Sequence, residues 1–281
     1  MTRPIVSYQG EPGSNSDEMC KSQFPDHETL PCDTFEEAFE AARDGRALLA
    51  MIPVENSQAG RVADVHHLLP NSGLKIIAER FKRIRFDLMA NPGTRLSDIG
   101  TVMSHVMALA QCRGLIREHG FRVETVGDTA GAARILSQQP DASKGALAPP
   151  SAAEIYGLVP LIRDVEDTQD NTTRFVVLTA DPSPPRPPEG IPCVTSFVFR
   201  VRNVPAALYK AMGGFATNGV NMTKLESYSE AGGFYATMFY AEVDGRPEDP
   251  NLRLAIEELG FFSERFEVLG VYPADPFRKT A

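Results

Sequence analysis

The sequence lacks the motifs that usually announce a metal, a phosphate-binding loop or a disulfide framework. The four cysteines are scattered without a Cys-x-x-Cys pair, which favours reduced thiols. His66 and His67 are adjacent and would diverge on a helix, and no Cys/His set has zinc spacing. The segment with Gly10 and Gly13 contains neither the Lys-Ser/Thr pair of a phosphate-binding loop nor the third glycine of a dinucleotide-binding motif. We therefore expect neither a metal nor a cofactor.

Positive charge and long apolar runs are also scarce. The formal net charge is −9 and the sequence pI is about 5.2, which argues against nucleic-acid binding. No apolar run approaches the roughly 18 residues that a membrane-spanning helix needs. Residues 1–8 carry one charged side chain and a short apolar piece, which predicts a first strand rather than a signal peptide. These features predict a cytoplasmic protein that binds neither nucleic acid nor membrane.

A proline-rich segment divides the chain. Six of the twelve residues at 181–192 are proline, so this linker can continue neither a helix nor a sheet. It separates a body at 1–180 from a tail at 193–281. Strand and helix signals alternate in the body, which predicts an α/β fold. The predicted strands are 5–8, 47–52, 75–90, 101–103, 121–126 and 145–148, and the predicted helices follow Ser14 or span 35–43, 105–119 and 129–138.

The tail follows a different pattern. Its signals give the order βαββαβ, which is typical of a ferredoxin-like domain. A hairpin is predicted at Gly232-Gly233, and Gly260 is expected to end the second helix. The predicted strands are 195–202, 220–227, 234–243 and 266–272, and the predicted helices are 205–215 and 249–259. Such a tail fits an amino-acid pocket or a plain dimerisation module, and both predict at least a dimer.

Four polar clusters follow strands of the body, where α/β sheets place their active groups. They lie at 9–16, at 53–60, at Ser104-His105 and at 171–175. Each cluster alone also fits a structural turn, a helix cap or a solvated strand edge. In the last cluster, two hydroxyls and one guanidinium stand at the mouth of an apolar strand. That combination suits the binding of a small anion.

Taken together, these segments resemble the prephenate dehydratases. The matching motifs of the body are 8–14, 52–57, Ser104-His105 with 108–112, and Asn-Thr-Thr-Arg-Phe at 171–175. The resemblance implies two α/β subdomains like those of type 2 periplasmic binding proteins. It also implies conversion of prephenate to phenylpyruvate, water and carbon dioxide, on the way to phenylalanine.

The tail segments 203–209 and 218–227 resemble the ACT regulatory domain of the same enzymes. This implies phenylalanine as a feedback effector at the interface of a dimer or tetramer. The implied effector-binding residues are Asn203, Pro205, Ala206, Ala207, Leu208, Asn218, Val220, Asn221, Met222, Leu225, Glu226 and Ser227.

The resemblance also implies roles in the catalytic site. Thr173 matches the threonine of the Thr-Arg-Phe motif and would hydrogen-bond the departing hydroxyl. Arg174 would hold a substrate carboxylate, and Phe175 would pack beneath the site. The remaining substrate-binding candidates are Ser14, Asn56, Ser57, Ser104 and Thr172.

The sequence departs from the family pattern at three places, and other functions stay open. Asn15 stands where tyrosine is common, Val106-Met107 replaces Pro-Gln, and Tyr228-Ser229 replaces Arg-Pro. The last change leaves the strength and sign of a phenylalanine response open. The alternatives are an arogenate dehydratase, a solute-binding protein, and an amino-acid-responsive protein with an inactive body.

Overall fold

The computed structural model describes residues 3–229 and 236–279, which form two compact units. The first unit comprises Met1–Val65 and Phe81–Phe175, and the second comprises His66–Arg80 and Val176–Ala281. The domain limits at residues 180 and 192 stay a prediction, because compact packing does not test independent folding. Within the described residues, no helix has the length and apolarity needed to cross a bilayer.

The chain up to residue 179 builds two α/β sheets. One has the strand order β2-β1-β3-β11-β5 with β4 on β3, and the other has the order β10-β6-β9-β7-β8. The elements are β1 (Ile5–Gln9), α1 (Asn15–Gln23), β2 (Glu28–Cys32), α2 (Phe35–Arg43), β3 (Leu49–Asn56), β4 (Gly60–Arg61), α3 (Ala63–Leu68), β5 (Lys75–Arg83), β6 (Asp87–Ala90), β7 (Thr101–Ser104), α4 (Val106–Gln111), α5 (Arg113–His119), β8 (Arg122–Thr125), α6 (Thr129–Gln138), β9 (Lys144–Ala148), α7 (Pro150–Tyr156), β10 (Val159–Ile162) and β11 (Thr172–Thr179). The predicted α/β body with two subdomains is confirmed.

Parallel pairing gathers the polar clusters at sheet edges. β1 pairs in parallel with β2 and β3, and β7 pairs in parallel with β8 and β9. The carboxyl ends of neighbouring parallel strands lie at one edge. The segments after β1 and β3 therefore share an edge of the first sheet. Those after β7 and β8 share an edge of the second.

The C-terminal sheet is a ferredoxin-like fold, as predicted. Its antiparallel order is β13-β14-β12-β15. Phe197, Phe215 and Leu252 belong to its apolar core. Its elements are β12 (Cys193–Val201), α8 (Ala207–Thr217), β13 (Met222–Ser229), β14 (Ala236–Asp244), α9 (Pro250–Phe262) and β15 (Ser263–Pro273). The hairpin predicted at Gly232-Gly233 lies outside the described residues.

The extended segment predicted at 75–90 is two strands of different sheets, β5 and β6, and two other predicted boundaries were wrong. β3 continues through Pro53, because its end is held by a hairpin in which Glu55 pairs with Arg61 and Asn56 with Gly60. α9 continues past Gly260 to Phe262, whose ring packs against the core of the C-terminal sheet. In both places a tertiary contact outweighs the local preference of proline or glycine.

The single helix predicted at 105–119 was also wrong, because it is broken at Cys112. This residue has φ −121° and ψ 31°, which separates α4 from α5. The N–H of Asp167 donates to the Gln111 carbonyl across the break at 2.7 Å. The end of α4 is therefore held by a residue more than 50 positions further along the chain. The helical periodicity of the sequence does not indicate where this helix ends.

Candidate active site

A chain of hydrogen bonds connects three side-chain amides and one hydroxyl in the first unit. Asn56 Nδ2 donates to Asn171 Oδ1 at 2.7 Å and to Thr173 Oγ1 at 2.9 Å. Asn171 Nδ2 in turn donates to Gln111 Oε1 at 2.9 Å. We call these four residues the amide chain. It brings together the end of β3, the start of β11 and the end of α4.

Two backbone groups fix the direction of every hydrogen bond in the amide chain. Asn56 Oδ1 accepts from the N–H of Gln58 at 3.0 Å and from that of Ala59 at 2.8 Å. The amide nitrogen of Asn56 must therefore face Asn171 and Thr173, since only nitrogen carries hydrogens. Asn171 consequently presents its oxygen to Asn56 and its nitrogen to Gln111. The usual ambiguity between amide oxygen and nitrogen is resolved by the network.

The amide chain ends in two hydrogen-bond donors. Thr173 Oγ1 accepts from Asn56, so its own hydrogen remains to be donated. Gln111 uses its oxygen for Asn171, so both hydrogens of its amide nitrogen remain. Neither group has an acceptor among the residues that the structure describes. The site can therefore donate hydrogen bonds to an oxygen-rich ligand without a metal or a strong base.

Ser57 and Thr172 hold the two strands of the amide chain in register. Thr172 N–H donates to Ser57 Oγ at 3.0 Å, and Ser57 N–H donates to the Thr172 carbonyl at 2.8 Å. Both hydroxyls donate to the carbonyl of Asp170, at 3.2 and 3.3 Å. These bonds position Asn56 and Thr173, and substrate contact by Ser57 and Thr172 stays a prediction.

Ser14 and Ser104 are engaged in other parts of the first unit. Ser14 caps α1 by accepting from the N–H of Asp17 at 3.3 Å. Ser104 is fully buried and donates to the Leu147 carbonyl at 2.6 Å, which ties β7 to β9. The structure records no bond from either hydroxyl to the amide chain within the described residues. Their role in substrate binding stays a prediction.

Arg174 and Phe175 follow Thr173 along β11, and both are buried, at 5% and 1% exposure. Successive residues of a strand point to opposite faces of the sheet. Phe175 therefore shares a face with Thr173, and Arg174 lies on the other face. The role of Arg174 as a carboxylate partner stays a prediction.

A cavity of about 370 Å³ lies between the loop after β1 and the start of α6. Its wall carries both signs of charge, and Arg134 Nε donates to Glu11 Oε1 at 3.0 Å. Asp128 caps α6 by accepting from the N–H of Gly131 at 2.8 Å. Burial raises the pKa of the Asp128 carboxyl, and the negative charge of Glu11 adds to the effect. The cavity suits a small polar molecule.

Gln111 and Asn171 are members of the site that sequence reasoning did not assign. Both lie inside motifs that carry the family resemblance, Gln111 in 108–112 and Asn171 in 171–175. The only sequence signal was an amide side chain within each motif. The two side chains lie 60 positions apart in the chain, so local periodicity does not reveal their contact.

The predicted effector residues form two groups along the sequence, and the second group continues into β13, whose end near Ser227 returns toward the end of β12. One group precedes or begins α8 and the other follows it. The 11 residues of α8 correspond to about 16 Å at 1.5 Å per residue. In the second group, Asn218 Nδ2 donates to the Gly214 carbonyl and Asn221 Nδ2 donates to Asp244, at 2.8 and 2.7 Å. Effector binding by these residues stays a prediction.

The fold and the site define a class: an α/β enzyme body of two sheets joined to a ferredoxin-like domain. A family model described as prephenate dehydratase matches residues 6–183, which is more than half of the chain. The chain belongs to the prephenate dehydratase family, and the predicted lyase class is confirmed.

Similar proteins cover nearly the whole chain. A bifunctional N-acyl-homoserine lactone acylase/prephenate dehydratase of Komagataeibacter europaeus is 49% identical over 275 residues, 98% of each chain. Arogenate dehydratase 2 of Petunia hybrida is 36% identical over 98% of this chain and 73% of its own length. The crystal structure of prephenate dehydratase from Arthrobacter aurescens in complex with L-Phe is 29% identical, with a TM-score of 0.87 over 96% of this chain and 90% of that one.

Proposed function

We propose that this protein converts prephenate to phenylpyruvate, water and carbon dioxide, and that phenylalanine regulates it through the C-terminal domain. Membership of the family supports the reaction class. The observation that carries the proposal is the pair of donors at the end of the amide chain, Thr173 and Gln111. They suit a substrate that carries two carboxylates and a leaving hydroxyl.

The reaction needs placement more than it needs a base. When the carbon–carbon bond to the ring carboxylate breaks, carbon dioxide leaves and the electron pair of that bond enters the ring. The ring hydroxyl departs as hydroxide, which takes a proton from solvent to give water. The product ring is aromatic, so the driving force lies in the substrate. The enzyme has to stabilise the negative charge that develops on the departing oxygen.

Thr173 is the group assigned to the departing oxygen. Its hydroxyl donates a hydrogen bond to that oxygen while Asn56 Nδ2 donates to Thr173 Oγ1 at 2.9 Å. The bond from Asn56 draws electron density from Oγ1, which makes the threonine hydroxyl a better donor. Threonine is far too weak an acid to ionise at neutral pH, so it acts through the hydrogen bond. Gln111 donates to a second substrate oxygen.

The test is the rate of phenylpyruvate formation, followed by ultraviolet absorbance. Removing one donor to a developing oxyanion typically costs on the order of 10²–10³ in rate, and we expect that loss for Thr173→Ala. Thr94→Ala is the matched control, and it should retain the wild-type rate. Thr94 follows β6 in the second sheet, at the edge opposite to the one where the segments after β7 and β9 lie. Near-normal turnover by a folded Thr173→Ala protein would contradict the assignment.

Prephenate is proposed as the preferred substrate over arogenate, which carries an amino group in place of the keto oxygen. The Petunia hybrida relative is named an arogenate dehydratase, so the comparison is informative. The measurement is kcat/KM for both compounds with the same preparation. A higher value for arogenate would reassign the substrate and leave the proposed chemistry unchanged.

A second candidate function comes from the relative in Komagataeibacter europaeus. That protein is named a bifunctional acylase, and the 49% identity extends over 98% of both chains. The corresponding activity would be release of homoserine lactone from an N-acyl-homoserine lactone, measured by mass spectrometry. If the wild type releases homoserine lactone, the Thr173→Ala protein tells whether one site serves both reactions.

Regulation by phenylalanine is proposed to require at least a dimer. L-phenylalanine should raise the melting temperature of the full chain, while D-phenylalanine should not. Light scattering would distinguish a dimer from a tetramer. A cytoplasmic location is part of the same proposal.

A further inference from the structure

We propose that Asp167 is a positioning residue that holds Gln111 in place for catalysis, an inference that rests on the proposed function. Its carboxylate accepts two backbone hydrogen bonds, from Gly114 N–H to Oδ1 at 2.7 Å and from Arg113 N–H to Oδ2 at 3.0 Å. Its own N–H donates to the Gln111 carbonyl at 2.7 Å. One residue therefore contacts the backbone on both sides of the break between α4 and α5.

The break leaves helix ends that need outside partners. The first N–H groups and the last carbonyl groups of a helix have no partner within it. Cys112, the residue before α5, provides no side-chain cap. Asp167 supplies that cap from another part of the chain, and its negative charge suits the start of a helix. Its backbone also satisfies a terminal carbonyl of α4, so the non-helical geometry of Cys112 is held from both sides.

Asp167 and Asn171 hold the same residue by different groups. Asp167 binds the Gln111 backbone, and Asn171 Nδ2 donates to the Gln111 side chain at 2.9 Å. The two lie four positions apart in the segment that enters β11, where Thr173 follows. This segment therefore fixes the spacing between the two donors of the amide chain. Errors of about 1 Å in the placement of catalytic groups cost up to a hundredfold in rate.

Gly114 gives an independent indication that this contact is built into the sequence. A Cβ added at Gly114 would lie 2.8 Å from Asp167 Oδ1, closer than side-chain carbons are found. The carboxylate thus occupies the space that a side chain would take. Alanine is the better helix former, so glycine stands in α5 against local preference. The close approach of Asp167 is the physical reason for it.

A double-mutant cycle separates positioning from a purely structural cap. Asp167→Ala should lower kcat about tenfold and change KM less than twofold. In a Gln111→Ala background, Asp167→Ala should lower kcat by less than twofold, because the group it positions is gone. Equal losses in the two backgrounds would overturn the proposal.

Gly114→Ala applies the same perturbation from the opposite side. The added Cβ displaces the Asp167 carboxylate, so kcat should fall severalfold in the wild type. The same change should have no effect in the Asp167→Ala protein, where alanine favours the helix. Full kcat in the Gly114→Ala protein would count against the proposal.

Hydrogen exchange provides a readout that does not depend on turnover. Asp167→Ala should speed amide exchange in the peptide covering 108–116. Asp141→Ala is the matched control, because its carboxylate also accepts a backbone hydrogen bond, from Ser143 N–H at 2.8 Å, before the start of β9. It should change neither kcat nor exchange in that peptide. Unchanged exchange in Asp167→Ala overturns the positioning role, whereas an inactive wild type with faster exchange in the variant contradicts only the proposed function.

Discussion

Arg278 binds two buried carboxylates in the second unit, and its removal tests how far that unit depends on one charge. Arg278 Nε and Nη2 donate to the two oxygens of Glu79 at 2.6 and 2.8 Å. Nη2 also donates to Glu242 Oε2 at 3.0 Å. Glu79 and Glu242 are 0% and 1% exposed. The guanidinium therefore bridges β5 and β14 within the second unit, close to the end of the described chain.

The expected loss on Arg278→Ala follows from the burial of its partners. Removing one member of a buried ion pair typically costs about 3–5 kcal/mol, because the remaining charge is less well compensated. The side chain of Arg278 is 20% exposed, and water entering its place offsets part of the loss. We therefore expect a fall of about 3 kcal/mol in the free energy of unfolding. Arg278→Lys should recover only part of it, since an ammonium cannot form the bidentate pair.

Urea denaturation followed by circular dichroism measures this change. The matched control is Arg253→Ala, which removes an exposed arginine that pairs with Glu257 at 2.8 Å in the same unit. An exposed pair within a helix contributes about 0.3–0.5 kcal/mol, so the control should stay within that range. If Arg278→Ala destabilises no more than Arg253→Ala, the buried bridge does not stabilise the unit as argued.

Two further substitutions test the electrostatics of the first unit. Burial raises the folded-state pKa of Asp128, so the folded chain binds a proton there more tightly than the unfolded chain. Stability from this group is thus fully present below the unfolded pKa and is lost as pH rises through the folded pKa. Asp128→Asn keeps an N-cap residue and should raise the melting temperature at pH 7 but not at pH 3; a lower melting temperature at pH 7 would contradict this. Asn56→Asp replaces the amide that donates to Thr173 by a carboxylate that accepts, so the threonine hydroxyl donates to the new carboxylate and no longer to the substrate. We expect kcat to fall by about 10² or more. A wild-type kcat would refute the direction assigned to the hydrogen bonds of the amide chain.

The elements that sequence predicted well are those with local signals. α2 and α6 have the predicted limits because each combines an apolar face with a capping side chain, Thr34 or Asp128. The tail order βαββαβ followed from alternation and turn residues. β2, α3, α7 and β10 were missed, since they are short and half-exposed or polar, and a few residues give too little periodicity to recognise.

The sequence predicted several of the residues of the site but not the hydrogen bonds between their side chains. Asn56 and Thr173 were assigned from motifs, and the structure places them 2.9 Å apart. Gln111 was missed because Asn171 and Asp167 contact it only after the chain has folded. Ser104 was assigned to substrate, yet its hydroxyl donates to a buried carbonyl. A hydroxyl group at the end of a strand can hydrogen-bond either a neighbouring strand or a bound substrate, and the sequence does not distinguish the two roles.

Directed hydrogen bonds explain how a chain without a recognisable metal motif or strong base at this site can assist departure of a hydroxyl group. The direction begins at two backbone N–H groups, those of Gln58 and Ala59, which cannot reverse. Asn56 transmits that direction to Thr173 and, through Asn171, to Gln111. Because each amide has one accepting and one donating end, reversing any member would leave two donors or two acceptors facing each other. The tight turn at 56–59 therefore determines which atoms of Thr173 and Gln111 remain for a ligand, and it makes both of them donors.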